Sequence, residues 1–204
     1  AHSAQRLAPA LVQAAFGKES ESGEDHAGSL AITDARIVLL PVRSFLGTFA
    51  YVTSLTVLTR VKRDMEAIGL RDLPDIPSCV EIGKIGTTAD SILAEQGRVY
   101  LEDLDFRTSE SEEREGDSVS IVDRWADFLA TVLYGESGDD AMKTSMRSRF
   151  AVLSDSAFDY LCERGTEVNA RIKIDDDTKT VKDGHLWYEE SLPSETVLAG
   201  RLSS

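Results

Sequence analysis

The stretch TEVNARIKIDDDTKTVKDGHLWYEESLP, Thr166 to Pro193, alternates along its first arm. Val168, Ala170, Ile172 and Ile174 fall on one face, and Glu167, Asn169, Arg171 and Lys173 on the other, the period of two that marks a half-buried strand. Asp175 to Lys179 supply turn chemistry. The return arm runs through Val181, Leu186, Trp187 and Tyr188, is broken at Asp183-Gly184, and ends at Pro193, which cannot donate a ladder hydrogen bond. The pattern predicts a rigid β-hairpin over about 166–193 that carries Arg171 and Lys173, rooted beside aromatics and two carboxylates. Such a finger suits a nucleic acid strand. On this stretch alone the favoured reading is the alternative, an ordinary hairpin with a solvated face. Glu189 and Glu190 are adjacent, so in an extended chain they point to opposite faces and cannot act as one acid–base pair.

Around this hairpin the chain of 204 residues, 42% hydrophobic, has room for one real core, and we expect a single domain over 1–204. Its longest apolar run, Ile37 to Val42, is far shorter than the ~20 residues of a bilayer span, so no membrane partner is expected. The chain opens on Ala1 without a signal-peptide layout, which suggests a fragment of a longer protein. Cys79 and Cys162 lie far apart and belong to no C-x-x-C pair, so neither a disulfide framework nor a zinc site is read, and a reducing cytoplasm is the simpler compartment.

The net charge of −14 runs against a polyanion binder, which is normally basic. Eight acids between Glu102 and Asp117, against Arg107 and Arg114, supply −6 of it. With screening over about 8 Å at physiological salt, an acidic lobe there leaves room for a basic strip elsewhere. Ser29–Pro74 and Met142–Ile174 each hold six basic against four acidic residues. Arg36, Arg43, Arg60, Arg63, Arg149, Arg171 and Lys173 are the plausible phosphate contacts.

Helical spacing marks Gln5–Phe16, closed by Gly17, and a helix capped by Thr53 or Ser54 that carries Leu55, Leu58, Val61, Met65 and Ile68 to Gly69. It also marks Val119 to Val132, ending near Gly135, and a Ser154-capped helix through Phe158 and Leu161 to Gly165. Ser29–Val42 reads as one long strand, paired with a second through Gly47, Phe49 and Tyr51. Val99, Leu101 and Leu104 read as a short strand, and Thr196–Leu202 as a last one. About 73–97, with Pro74 and Pro77, reads as an irregular insertion, and about 108–117 as an acidic loop.

The remaining motifs are mostly exclusions. A calcium loop begun at Asp175 needs glycine at its sixth place and glutamate at its twelfth, and this chain has Thr180 and Leu186. His2, His26 and His185 have no ligand spacing, so no metal residues are assigned. No phosphate-binding loop, nucleophile elbow or dinucleotide fingerprint occurs.

Four blocks, in order, resemble one family. They are AGSLAITDARIVLLPVRSFLGTFAYVTS (Ala27–Ser54), RVYLEDLDF (Arg98–Phe106), RFAVLSDSAFDYL (Arg149–Leu161) and EVNARIKIDDDTKTVKDGHLWYEESLPSETV (Glu167–Val197). The chain is thereby similar to the backbone subunit of type III-B CRISPR (Cmr) effector complexes, in the RAMP superfamily. The resemblance implies an α+β fold with a ferredoxin-like (RRM-type) core and an inserted β-hairpin thumb, here partial because the family's first strand and glycine-rich C-terminal segment have no counterpart. It implies a cytoplasmic, RNA-binding antiviral-defence protein whose partners are CRISPR RNA, target RNA, other Cmr subunits and further copies of itself. The intact family member is an endoribonuclease that uses a divalent metal such as Mg, cutting the target at regular steps. The aspartate implicated in cutting precedes Ala1 in the family, so no cofactor is assigned to this chain itself. By the resemblance, Arg36 and Arg43 clamp the guide backbone, Arg171 and Lys173 touch the duplex, and Glu189 assists cleavage. Where the family has Tyr after its two glutamates this chain has Ser191, and Tyr188 is the candidate substitute aromatic. The alternatives are a structural adaptor that assembles without RNA and an unrelated acidic α+β protein with a small-molecule site.

Overall fold

The elements, in a computed structural model that describes residues 9–18, 26–78, 80–109, 119–137, 139–174 and 181–204, follow in chain order. They are α1 (Pro9–Phe16), β1 (Gly17–Lys18), β2 (His26–Ala27), β3 (Ala31–Ile32), β4 (Arg36–Arg43), β5 (Phe49–Ser54) and α2 (Leu55–Ala67). Next come β6 (Lys84–Thr87), β7 (Arg98–Leu101), β8 (Leu104–Thr108), α3 (Ile121–Tyr134), α4 (Asp140–Ser148), β9 (Phe150–Leu153) and α5 (Asp155–Arg164). The chain ends with β10 (Glu167–Ile174), β11 (Val181–Ser191), β12 (Val197–Ala199) and β13 (Leu202–Ser203). Cys79, the turn Asp175–Lys179 and most of the acidic loop lie outside the described residues.

Two compact units result, one of Ala1–Arg36 with Leu198–Ser204, the other of Ile37–Val197. In the first, β1 pairs with β2 and β3 with β13, both antiparallel. Ser29 and Leu30 donate their N–H groups to Ala14 and Ala15 of α1. Gly28 is required at this approach, because a Cβ there would stand 2.3 Å from the Ala15 carbonyl oxygen.

The second unit is built on a sheet ordered β4-β5-β9-β6-β8-β7. β5 and β9 run parallel at its centre, and β9 pairs antiparallel with β6. Central strands are covered on both faces, so they read as continuous apolar runs rather than alternations. All of β9, Phe-Ala-Val-Leu, is accordingly buried. The two coverings are identifiable. A Cβ at Gly165, which ends α5, would lie 3.4 Å from Leu40 Cδ2, whereas one at Gly86 of β6 would lie 3.1 Å from Val122 of α3. Leu40 shares a face with Val52, and Gly86 with Val152 and Thr53, so α5 and α3 cover opposite faces. Each of these helices is started by a serine hydroxyl accepting from the backbone, Ser120 for α3 and Ser154 for α5, as Ser54 does for α2.

The sheet curls. Ser44, just past β4, bridges to Leu101 at the end of β7, Phe45 N–H donates to the Tyr100 carbonyl, and Glu102 N–H donates to Arg43. The α+β character thus includes a sheet whose last strand returns to its beginning.

Four expectations are corrected. Ser29–Val42 is two strands, β3 and β4, with a break at Thr33–Ala35. The segment read as irregular contains β6, a sheet strand short enough and glycine-bearing enough to lack any pattern. Val99 to Leu104 is a hairpin, β7 and β8, turned on Glu102-Asp103. The half-burial read from the alternation of 167–174 does not occur, since every residue of β10 is exposed.

Candidate nucleic-acid interface

β10 and β11 pair only with each other, as a two-stranded antiparallel hairpin. The register opposes Val168 to Glu190, Asn169 to Glu189, Ala170 to Tyr188, Arg171 to Trp187 and Ile172 to Leu186, with an irregularity between Ile172 and Ile174. Directly opposed residues share a face. One face therefore carries Val168, Ala170, Ile172, Leu186, Tyr188 and Glu190, and the other Glu167, Asn169, Arg171, Lys173, Trp187, Glu189 and Ser191. The arm is exposed on both faces, with Ile172, Leu186 and Trp187 all open to solvent.

The polar face is ordered by a chain of side-chain bonds. Arg171 Nε donates to Glu189 Oε2 at 2.8 Å, and Trp187 Nε1 donates to Glu189 Oε1 at 3.2 Å. The indole N–H and the guanidinium together hold the Glu189 carboxyl below its ordinary value, so it is ionised at neutral pH. It is an acceptor there, not a proton donor. Glu190, on the opposite face, instead accepts from the Thr166 hydroxyl at 2.5 Å. The Ser191 hydroxyl donates to the Glu167 carbonyl at 3.4 Å and closes the hairpin base.

The root beyond Pro193 is fixed to the sheet. Glu195 adopts a left-handed φ of +71°, and Tyr51 of β5 donates its hydroxyl to Glu195 Oε2 at 3.2 Å. Burial pushes the Tyr51 hydroxyl up, with Tyr134 and Glu195 adding to it, so it remains a donor. This anchor spans residues 144 apart, and no local signal announces it.

The structure brings together Arg171 and Glu189, with Lys173 on the same face, but places Tyr188 on the opposite one. Arg36 and Arg43 stand at the two ends of β4, both exposed. Arg43 is held in a fork by Glu102, through Nε to both carboxylate oxygens at 3.0 and 3.2 Å and through Nη2 at 2.8 Å. That hydrogen bond and charge raise the Arg43 pKa above its ordinary value. Three other cations read as phosphate contacts have internal tasks. Arg60 donates to the Ile37 carbonyl, Arg63 pairs with Asp64, and Arg149 donates to Gly47 and Ser145 while lying 5.6 Å over the Phe49 ring. The residue that the sequence reading passed over is Trp187, which only the register assigns to the face of Arg171 and Lys173.

The described residues do not suit a divalent metal. No group of three His, Cys, Asp or Glu among them could hold one. Glu189, the nearest candidate ligand, already has both oxygens bonded to protein donors. Cys162 is half-buried, and desolvation pushes its thiol up to about 11, as for an inert packing residue. No helix among the described residues is long and apolar enough to cross a membrane.

Comparison with known proteins places this geometry. The RAMP superfamily model matches residues 3–202. The CRISPR system Cmr endoribonuclease Cmr4 of Pyrococcus furiosus is 33% identical over 186 residues, which are 89% of this chain and 57% of that protein. The crystal structure of oligomeric Cmr4 from Pyrococcus furiosus aligns with a TM-score of 0.60 and 27% identity, over 86% of this chain and 56% of that one. The cryo-EM structure of the type III-B Cmr-beta complex bound to cognate target RNA contains a chain that shares the fold, with a TM-score of 0.58 and 19% identity over 95% and 62% of the two chains. The chain thus spans little more than half the length of its Cmr4 relative. It belongs to the RAMP superfamily.

Proposed function

We propose that this chain is a guide-RNA-binding backbone subunit of a type III-B CRISPR effector complex, with the β10–β11 hairpin as its thumb. The observation that carries the reading is that hairpin. It is exposed on both faces, lines up Arg171 and Lys173 on one of them, and stands on a fold shared with Cmr4. The order β5-α2-β6 followed by β9-α5, with β5 and β9 parallel and adjacent, supports a ferredoxin-like core beneath it. Arg36 and Arg43 would grip guide phosphates, and Arg171 and Lys173 those of the guide–target duplex, a contact to shape and backbone rather than to base identity.

Wedging paired strands apart costs a few kcal/mol of unstacking. Apolar Val168, Ile172 and Leu186 supply the surface that offsets this cost, or that packs on a further copy of the chain. Splaying a ribose can bring its 2′-OH into line with the neighbouring phosphorus, so that positioning supplies much of the rate. Attack of that oxygen on phosphorus would close a 2′,3′-cyclic phosphate and break the P–O5′ bond, with ionised Glu189 accepting from the 2′-OH and the 5′-oxygen leaving protonated by water. The reading places the chain in the cytoplasm, with CRISPR RNA, target RNA and other Cmr subunits as partners.

The test is RNA affinity in the Arg171→Ala, Lys173→Ala double variant against several unrelated sequences. Backbone gripping predicts a roughly uniform loss of about tenfold or more at low salt. A loss confined to particular sequences, or none, contradicts it.

A further inference from the structure

Trp187 shares the exposed polar face of the hairpin with Arg171, Lys173 and Asn169, and lies directly across from Arg171. Large aromatics left open to solvent on a charged face are uncommon, because burying an indole removes much apolar area from water. This one is 44% exposed. Its N–H is tied to Glu189, whose other oxygen takes Arg171, so the ring and the guanidinium are joined through one carboxylate. That linkage limits the rotamers of all three side chains before any ligand arrives. Tyr188, more exposed still, sits on the opposite face among Ala170, Ile172 and Leu186, with no cation among the described side chains of that face.

Resting on the RNA-binding reading above, we propose that Trp187 is a stacking platform for an unpaired RNA base, with Arg171 and Lys173 holding the adjoining phosphates. The chemistry favours a nucleic acid over a protein occupant. An aromatic face beside cations matches a base joined to a phosphate, whereas the apolar residues a protein partner would seek lie on the other side of the same hairpin. Stacking is indifferent to base identity, so the platform tolerates any guide or target sequence.

The protein itself supplies a reporter. Its two tryptophans are Trp125 and Trp187. Trp125 is fully buried and donates to the Asp75 carbonyl at 2.8 Å, so acrylamide-accessible emission reports Trp187. The experiment uses the whole chain, a labelled oligouridylate, and an abasic ribose-phosphate oligomer of equal length, with binding read by anisotropy. Saturating oligouridylate is expected to quench the accessible emission, and the abasic oligomer to leave it unchanged. Trp187→Leu should weaken oligouridylate binding by about five- to a hundredfold while leaving abasic binding nearly as it was, and Trp187→Phe should retain most of the affinity. If both oligomers bind but the preference for bases over abasic sugar survives Trp187→Leu, the platform is refuted and RNA binding stands. If neither oligomer binds, the RNA-binding reading falls and the platform with it.

Discussion

At the scale of single residues, the cations that a sequence displays are not the cations a ligand meets. Arg43 is wide open to solvent, yet its fork is filled by Glu102, whose φ of +50° holds it in the left-handed region at the turn between β7 and β8. That partner is 59 residues away and could not be read from the chain. Glu102→Gln removes the carboxylate and should raise low-salt RNA affinity about two- to fivefold if Arg43 meets phosphate, as expected for freeing one exposed cation. An unchanged titration would remove Arg43 from the interface. Glu189 carries a sign that can be checked by carboxyl NMR. Its folded value is depressed, so its hold on Arg171 is complete above the ordinary glutamate range and is lost as pH falls through the depressed value. In Arg171→Met the titration should move up toward the ordinary value, and immobility would deny the pair. The opposite facing of Glu189 and Glu190 was legible from adjacency alone, because strand geometry settles it. The company each keeps was not, because register depends on a turn between the two arms.

At the scale of elements, helices were the most readable parts, since caps and spacing are local. Ser54 and Ser154 each mark their helix start, and Gly135 and Gly165 the ends of α3 and α5. β9 escaped because a four-residue buried run has no period to detect, and α4 because its nine residues are mostly polar. The joint between α3 and α4 is a charged hub. Arg147 reaches Asp90, Asp123 and Asp127 at 3.2, 3.1 and 2.7 Å, while buried Asp123 also accepts from the Ala89 N–H. Asp123→Ala leaves the Ala89 N–H and the Ser120 hydroxyl without their acceptor and takes one of its three carboxylates from Arg147, and should cost about 2 kcal/mol in denaturant unfolding. A loss under ~1 kcal/mol would show the hub to be decorative. The starts of α2 and α5 are coupled through Asp155. Burial works to raise its pKa, but hydrogen bonds from Ser54 and from the Thr56 N–H and hydroxyl outweigh it and leave the value lowered. Its stabilising effect is therefore present above the ordinary aspartate range and lost as pH falls through the lowered value. Asp155→Asn should flatten that acid limb of the stability curve, and an unaltered limb would contradict the assignment.

At the scale of the whole molecule, net charge and site charge diverge. A chain at −14 still presents Arg36, Arg43, Arg171 and Lys173 as exposed cations, a separation that composition hides and coordinates reveal. If all four meet phosphates of a single strand, log affinity falls against log salt with a slope of about −3. Because β10 and β11 form a sheet of their own, the hairpin can be removed without breaking a ladder of the core. The most direct measurement is the salt dependence of RNA affinity for a variant in which residues 168–190 are replaced by a short Gly/Ser turn, beside the intact chain, with circular dichroism confirming the fold. Loss of at least tenfold in affinity and a shallower slope are the predicted results, whereas an equal affinity and slope would mean that the hairpin does not grip RNA.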